Sequence, residues 1–193
     1  MTDHATAEAT ALLQQLIRNA CVNDGTPESG QEARNVDVLS DLLTVPGVEL
    51  QTFEPLPGRS SLVARIEGSD PAAPALLLMG HTDVVPANPD GWQRDPHGGE
   101  LVDGVVWGRG AVDMLNLTTT MALATRNLAR SGWRPRGTLV YLAVADEEAG
   151  GTHGAEWLLN NGGRCGRAVA RAGQGQPGAA VEWVLSRCGQ RRG

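Results

Sequence analysis

Residues 76–86 read LLLMGHTDVVP, and this run constrains the chain more than any other. An apolar stretch leads into Gly80, and His81 and Asp83 follow two residues apart. A short continuous apolar run suits a strand buried on both faces. In extended chain, residues i and i+2 share a face, so the Asp83 carboxylate can lie beside the His81 imidazole. A carboxylate that accepts one ring N–H fixes the tautomer and leaves the other nitrogen free for a metal. A His and an Asp at a strand end are also common surface residues, so the spacing alone decides little. Two later blocks sharpen it: WGRGAVDM at residues 107–114 and VADEEAGG at residues 144–151.

The pattern around these blocks alternates strands with helices. Apolar periodicity predicts a helix over residues 5–20, with Leu12, Leu13, Leu16 and Ile17 on one side. A second helix is expected over residues 28–43, stopped by Pro46 and Gly47. Strands are expected at 48–53, 61–66, 75–79 and 138–144, and a hairpin at 100–107 turning on Asp103 and Gly104. A long helix fills 114–130, and another begins near His153. This order implies an α/β layered domain with a largely parallel central sheet. The motif residues all follow strand-like segments, and ligand sites in such sheets gather where strands end.

Composition narrows the function. The net charge of −6 argues against a nucleic-acid surface. All sixteen basic residues are Arg, as in a G+C-rich coding bias. Residues 162–193 carry six Arg and one Glu, a net of +5 that leaves −11 on residues 1–161. Cys21, Cys165 and Cys188 form no CxxC pair and suggest neither a disulfide framework nor a zinc ribbon. The first residues lack a secretory pattern, and no apolar run reaches membrane-spanning length, so a soluble cytoplasmic protein with no membrane partner is expected.

The three blocks, in this order and each beside a strand or helix, resemble the N-terminal part of the M20-type metallohydrolases. That family includes dinuclear-zinc carboxypeptidases, aminoacylases, deacetylases, desuccinylases and dipeptidases. The resemblance implies a three-layer zinc-peptidase catalytic domain and a site for two zinc ions, with cobalt or manganese as substitutes. It implies that Asp113 bridges both ions, that His81 binds one and Glu148 the other, and that Asp83 partners His81. Glu147 would be the general base, and the Asp113–Met114 bond would be cis. The implied reaction cleaves an amide in a small peptide or an N-acyl amino acid.

The resemblance is traced to about Asn161, which sets the expected domains: residues 1–161 as a partial catalytic domain, and 162–193 as a Gly/Arg-rich tail expected to be disordered, read as a frameshift product with a genuine flexible basic tail as the alternative. The family's later metal ligands, its lid domain (often used for dimerisation) and its later strands have no match in the chain. The fold is therefore expected to be truncated and the oligomeric state is open. The alternative to a hydrolase is a non-catalytic remnant with at most weak metal binding.

Simpler roles exist for the same residues. Asp113 can cap the helix expected from Met114. Asp146, Glu147 and Glu148 can be a solvated acidic turn. Gly108 and Gly110 are better suited to close backbone approach than to a nucleotide loop, for which a lone G-x-G is weak. His97 and His153 match no family ligand, and Trp92 and Trp107 read as packing residues.

Overall fold

A computed structural model describes residues 2–162 of the chain. The expected boundary at Asn161 and the tail beyond it fall at the edge of, or outside, the described residues.

The sheet is organised around β6 (Leu139–Val144), all six of whose residues are buried. Its side chains alternate between two cores, as a period of two requires. Tyr141 and Ala143 face a core built with Leu12, Leu16 and Ile17 of α1 (Thr2–Arg18), Val36, Leu39 and Leu43 of α2 (Ala33–Leu43), and Leu115, Ala122 and Leu123 of α3 (Leu115–Arg130). Val140, Leu142 and Val144 face the opposite core, closed by Leu158 of α4 (Ala155–Asn161) with Trp157 and Phe53 against it. The result is a helix–sheet–helix sandwich, the three-layer α/β class expected. Each fully buried Leu or Ile in these cores contributes about 1.5–3 kcal/mol.

The sheet order is β1 (Glu49–Phe53), β2 (Ser61–Ile66), β6, β3 (Leu76–His81). It is mixed rather than largely parallel: β1–β2 and β2–β6 are antiparallel, and only β3–β6 is parallel. The cause is connection length. A short turn joins β1 to β2 and forces reversal, whereas α3 lies on the path from β3 to β6 and allows a crossover. β3 also departs from the expected burial. It pairs with β6 on one side and lies at the edge of the described sheet, so Leu76 is 59% exposed.

Local chemistry explains the remaining elements. The hairpin of β4 (Glu100–Val102) and β5 (Val105–Trp107) turns on Asp103 and Gly104, whose φ angles of 51° and 80° are those of a two-residue hairpin turn. α2 begins at Ala33 rather than at residue 28, because Gly30 and Gln31 take φ of 80° and 59°. That reversal turns Glu32 inward onto Arg59. α3 begins at Leu115, with Met114 at its cap position, so Asp113 does not cap it. Among the described residues no helix is long and apolar enough to cross a membrane.

Candidate metal centre

The parallel register places His81, the last residue of β3, opposite Val144, the last residue of β6. Thr82 N–H then donates to the Val144 carbonyl at 3.0 Å, which holds the two strand exits together. The His–Thr–Asp segment and the Asp–Glu–Glu turn therefore leave the sheet side by side. α3 secures the same corner, where Thr118 Oγ1 donates to the His81 carbonyl at 2.8 Å.

The His81 ring is oriented by backbone. Its Nδ1 lies 2.9 Å from the Asp83 carbonyl oxygen, which can only accept, so Nδ1 carries the proton. Nε2 points the other way, 3.2 Å from Asp113 Oδ1 and 3.7 Å from Glu147 Oε2. One ligand atom each from His81, Glu147 and Glu148 lies within 4.8 Å of the others. His81 is buried, the Glu147 side chain is 46% exposed and that of Asp113 is 82% exposed. The site is thus a buried imidazole at the floor of a rim of carboxylates.

The expected partnership of Asp83 with His81 takes a different form. The Asp83 carboxylate is 3.6 Å from Nδ1, beyond a hydrogen bond, and it is the residue's own carbonyl that receives the ring proton. The carboxylate is engaged elsewhere. Oδ1 accepts the Glu147 N–H at 3.2 Å, and Oδ2 accepts the Glu148 N–H at 3.0 Å and the Asn23 amide at 2.8 Å. Asp83 therefore acts on both halves of the site, the ring through its backbone and the glutamate turn through its side chain.

Electrostatics show what the donor set lacks. Burial pushes the Glu148 carboxyl up to about 6; His81 opposes that rise, while the carboxylates of Asp83, Glu147 and Asp113 add to it. Burial disfavours the imidazolium of His81, yet the Asp83, Glu147 and Glu148 carboxylates and the Asp83 carbonyl outweigh it and raise its pKa. One imidazole nitrogen facing several crowded carboxylate oxygens is a set that a divalent cation neutralises, and nitrogen with oxygen suits zinc and its neighbours.

Two further features shape the centre. The Asp113–Met114 peptide bond is cis, as the resemblance implies. Gly110 has φ of 82°, and a Cβ there would lie 2.5 Å from Val84 Cγ1, which is the close approach read from the glycine-rich block. His97 and His153 take no place among the converging ligand atoms. Trp92 and Trp107 stack instead under Arg109 and Arg94, with the guanidinium carbon 5.5 Å and 5.8 Å from the respective ring centroids.

Sequence reasoning missed the layer beneath. Arg59 is 2% exposed and donates to Glu32 Oε1 at 2.8 Å and to Asn23 Oδ1 at 2.9 Å. Asp146 Oδ1 lies 3.6 Å from the Arg59 guanidinium, and the Asp146 N–H donates to Glu32 at 3.2 Å. These residues come from four separate segments, and no local spacing joins them. Only Asp146 lies in a segment that the sequence singled out, the acidic block at residues 144–151.

β3 ends in His81 and the turn that follows β6 carries Glu147 and Glu148, so the exits of the two parallel strands bring one imidazole and two carboxylates together, as a metal-binding α/β domain would. Comparison with known proteins agrees. Residues 77–186 match peptidase family M20/M25/M40. A succinyl-diaminopimelate desuccinylase of Methylobacterium radiotolerans is 36% identical over 179 residues, covering 90% of this chain and 43% of that protein. One of Maricaulis maris is 36% identical over 154 residues, covering 79% of this chain and 37% of that protein. Human carnosine dipeptidase 1 shares the fold, with a TM-score of 0.71 at 24% identity over 86% of this chain and 38% of its own. A metallo-carboxypeptidase of Sulfolobus solfataricus does so with a TM-score of 0.67 at 18% identity, over 82% and 35% of the two chains. The chain belongs to peptidase family M20/M25/M40.

It spans about two fifths of the length of these curated relatives. The similarity also runs further than expected. The family match runs to residue 186, past the boundary expected near Asn161.

Proposed function

We propose that the chain carries the first part of a dinuclear-zinc amide hydrolase site, acting on N-acyl amino acids or small peptides. N-succinylated amino acids are the favoured class, since two relatives 36% identical to this chain bear the name of a desuccinylase. The observation that supports this reading is the convergence of carboxylates on the free nitrogen of His81.

In this reading His81 Nε2, Asp113 and Glu148 would hold the ions, and Asp113 would serve both, since a carboxylate has two oxygens. When bound, such ions polarise an amide carbonyl and supply hydroxide near neutral pH. Glu147 is half-exposed beside the same nitrogen, so its Oε2 can take a proton from the attacking water and deliver it to the leaving amine. Asp83 fixes the tautomer of His81 and the backbone of the glutamate pair together.

A second reading, weak metal binding without turnover, is favoured by ligand count. Among the described residues, three ligands with one shared would give each ion two protein contacts, whereas catalytic zinc commonly takes three. Calorimetric titration with zinc, paired with assays on N-succinyl, N-acetyl and dipeptide substrates, separates the two. Turnover that disappears in Glu147→Ala supports the hydrolase. Zinc binding lost in His81→Ala without any turnover supports the second reading, and zinc binding untouched by His81→Ala overturns both.

A further inference from the structure

Asn23 is 2% exposed and touches none of the converging ligand side chains, yet its amide stands between the buried carboxylates behind them. Its Nδ2 donates to Asp83 Oδ2 at 2.8 Å and to Asp146 Oδ1 at 3.3 Å. Its Oδ1 accepts from Arg59 Nη2 at 2.9 Å, from Gly25 N–H at 3.1 Å and from Ser29 Oγ at 3.4 Å. The charged donor on one side and the carboxylates on the other fix which way the amide faces: oxygen to Arg59, NH₂ to the acids. The backbone is fixed as well. Val22 bridges in parallel to Val84, and Asn23 N–H donates to the Val84 carbonyl at 2.8 Å.

We propose that Asn23 is a positioning residue of the metal centre. It holds the Asp83 carboxylate in place, and Asp83 in turn holds the Glu147 and Glu148 N–H groups and, through its carbonyl, the His81 ring. Without the NH₂ group the Asp83 and Asp146 carboxylates lose their shared donor. Asp83 then shifts, and both the imidazole and the glutamate turn shift with it. This inference rests on the metal-binding reading of the site. Partners that orient metal ligands from behind typically account for 10–100-fold in metal affinity.

The test uses the full chain and zinc or cobalt alone as the probe. Asn23→Asp keeps the side chain's size, removes both donors and sets a carboxylate against two others. Asn23→Ser replaces the two amide N–H donors by one shorter hydroxyl without adding charge, and serves if the Asp variant does not fold. Leu39→Ala, in the core away from the site, controls for a general loss of stability. Zinc affinity is measured by calorimetry at a temperature where circular dichroism shows every variant folded, and the visible absorption of the cobalt form reports ligand geometry.

The expected result is at least a 10-fold loss of zinc affinity for Asn23→Asp, a smaller loss for Asn23→Ser, and an altered cobalt spectrum for both. Leu39→Ala should keep the wild-type affinity and spectrum despite its lower stability. Asn23 variants that bind zinc like wild type, with an unchanged cobalt spectrum, overturn this inference alone if His81→Ala has lost binding. Wild-type binding in His81→Ala overturns the metal reading and this inference with it.

Discussion

Replacing Arg59 by Met tests the buried layer beneath the centre. The guanidinium donates to Glu32 Oε1, Asn23 Oδ1, the Thr26 carbonyl and Ser29 Oγ at 2.8–3.1 Å, and Asp146 Oδ1 is 3.6 Å away. Methionine fills much of the volume but leaves the Glu32 and Asp146 carboxylates buried without their cation. Removing one partner of a buried ion pair costs about 3–5 kcal/mol. A domain holds only about 5–15 kcal/mol in total. For a chain of this size the melting temperature should fall by roughly 6–20 °C. Urea unfolding followed by tryptophan fluorescence measures the loss.

The cause is isolated by adding Glu32→Gln, which removes the stranded charge. If charge is the cause, the double variant is more stable than Arg59→Met alone. Acidity gives the same readout. Burial holds the Glu32 carboxyl above its usual range, with Asp83 adding to the rise and Arg59 opposing it. A raised carboxyl contributes stability below its unfolded value of about 4.3 and loses it as pH climbs through the folded pKa. The cost of Arg59→Met should therefore shrink on acidification. A double variant no more stable than Arg59→Met, with a cost independent of pH, would refute the reasoning.

Two shorter tests probe other parts of the fold. Arg126 on α3 grips both oxygens of Glu8 on α1, at 2.5 and 2.7 Å, and this contact holds the Glu8 carboxyl below its usual range. Glu8→Gln should cost about 1 kcal/mol at neutral pH, and the gap from wild type should close as pH falls below about 4.3 through the depressed pKa, as read by urea unfolding across pH. Burial pushes the Cys21 thiol up to about 12, so iodoacetamide at pH 8 should leave Cys21 unmodified in the folded chain and modify it in urea, as peptide mass spectrometry would show.

Much of the fold was legible where one local pattern decided one element. The apolar run of β6 announced a strand buried on both faces, Asp103–Gly104 announced a hairpin, and the stripe of Leu12, Leu16 and Ile17 announced α1. His81, Asp113, Glu147 and Glu148 each sit in a recognisable block, and the structure places them near one another. The network of Asn23, Glu32 and Arg59 had no such signal. Its members are ordinary polar residues in turns and at strand starts, and only the tertiary fold makes them neighbours. The role of Asp83 was half legible for the same reason. The i, i+2 spacing puts its side chain near the ring, but long-range N–H donors decide what that carboxylate binds. β3 was read as buried on both faces because its apolar run is continuous, and only sheet order separates an edge strand from a central one.

The two hydrogen bonds from Asp83 to the glutamate turn span 64 and 65 residues of chain. Amides in a surface turn ordinarily exchange with solvent through small local fluctuations that need not disturb the sheet. These two cannot, because releasing either means pulling a buried carboxylate off its donors at the mouth of β3. The Glu147 and Glu148 amides should therefore exchange on the slow timescale of β6, while the Gly150 and Gly151 amides beyond them, bonded only within the turn, exchange faster. A boundary between rigid and yielding backbone thus falls inside a single acidic turn, just past the two glutamates that converge on His81.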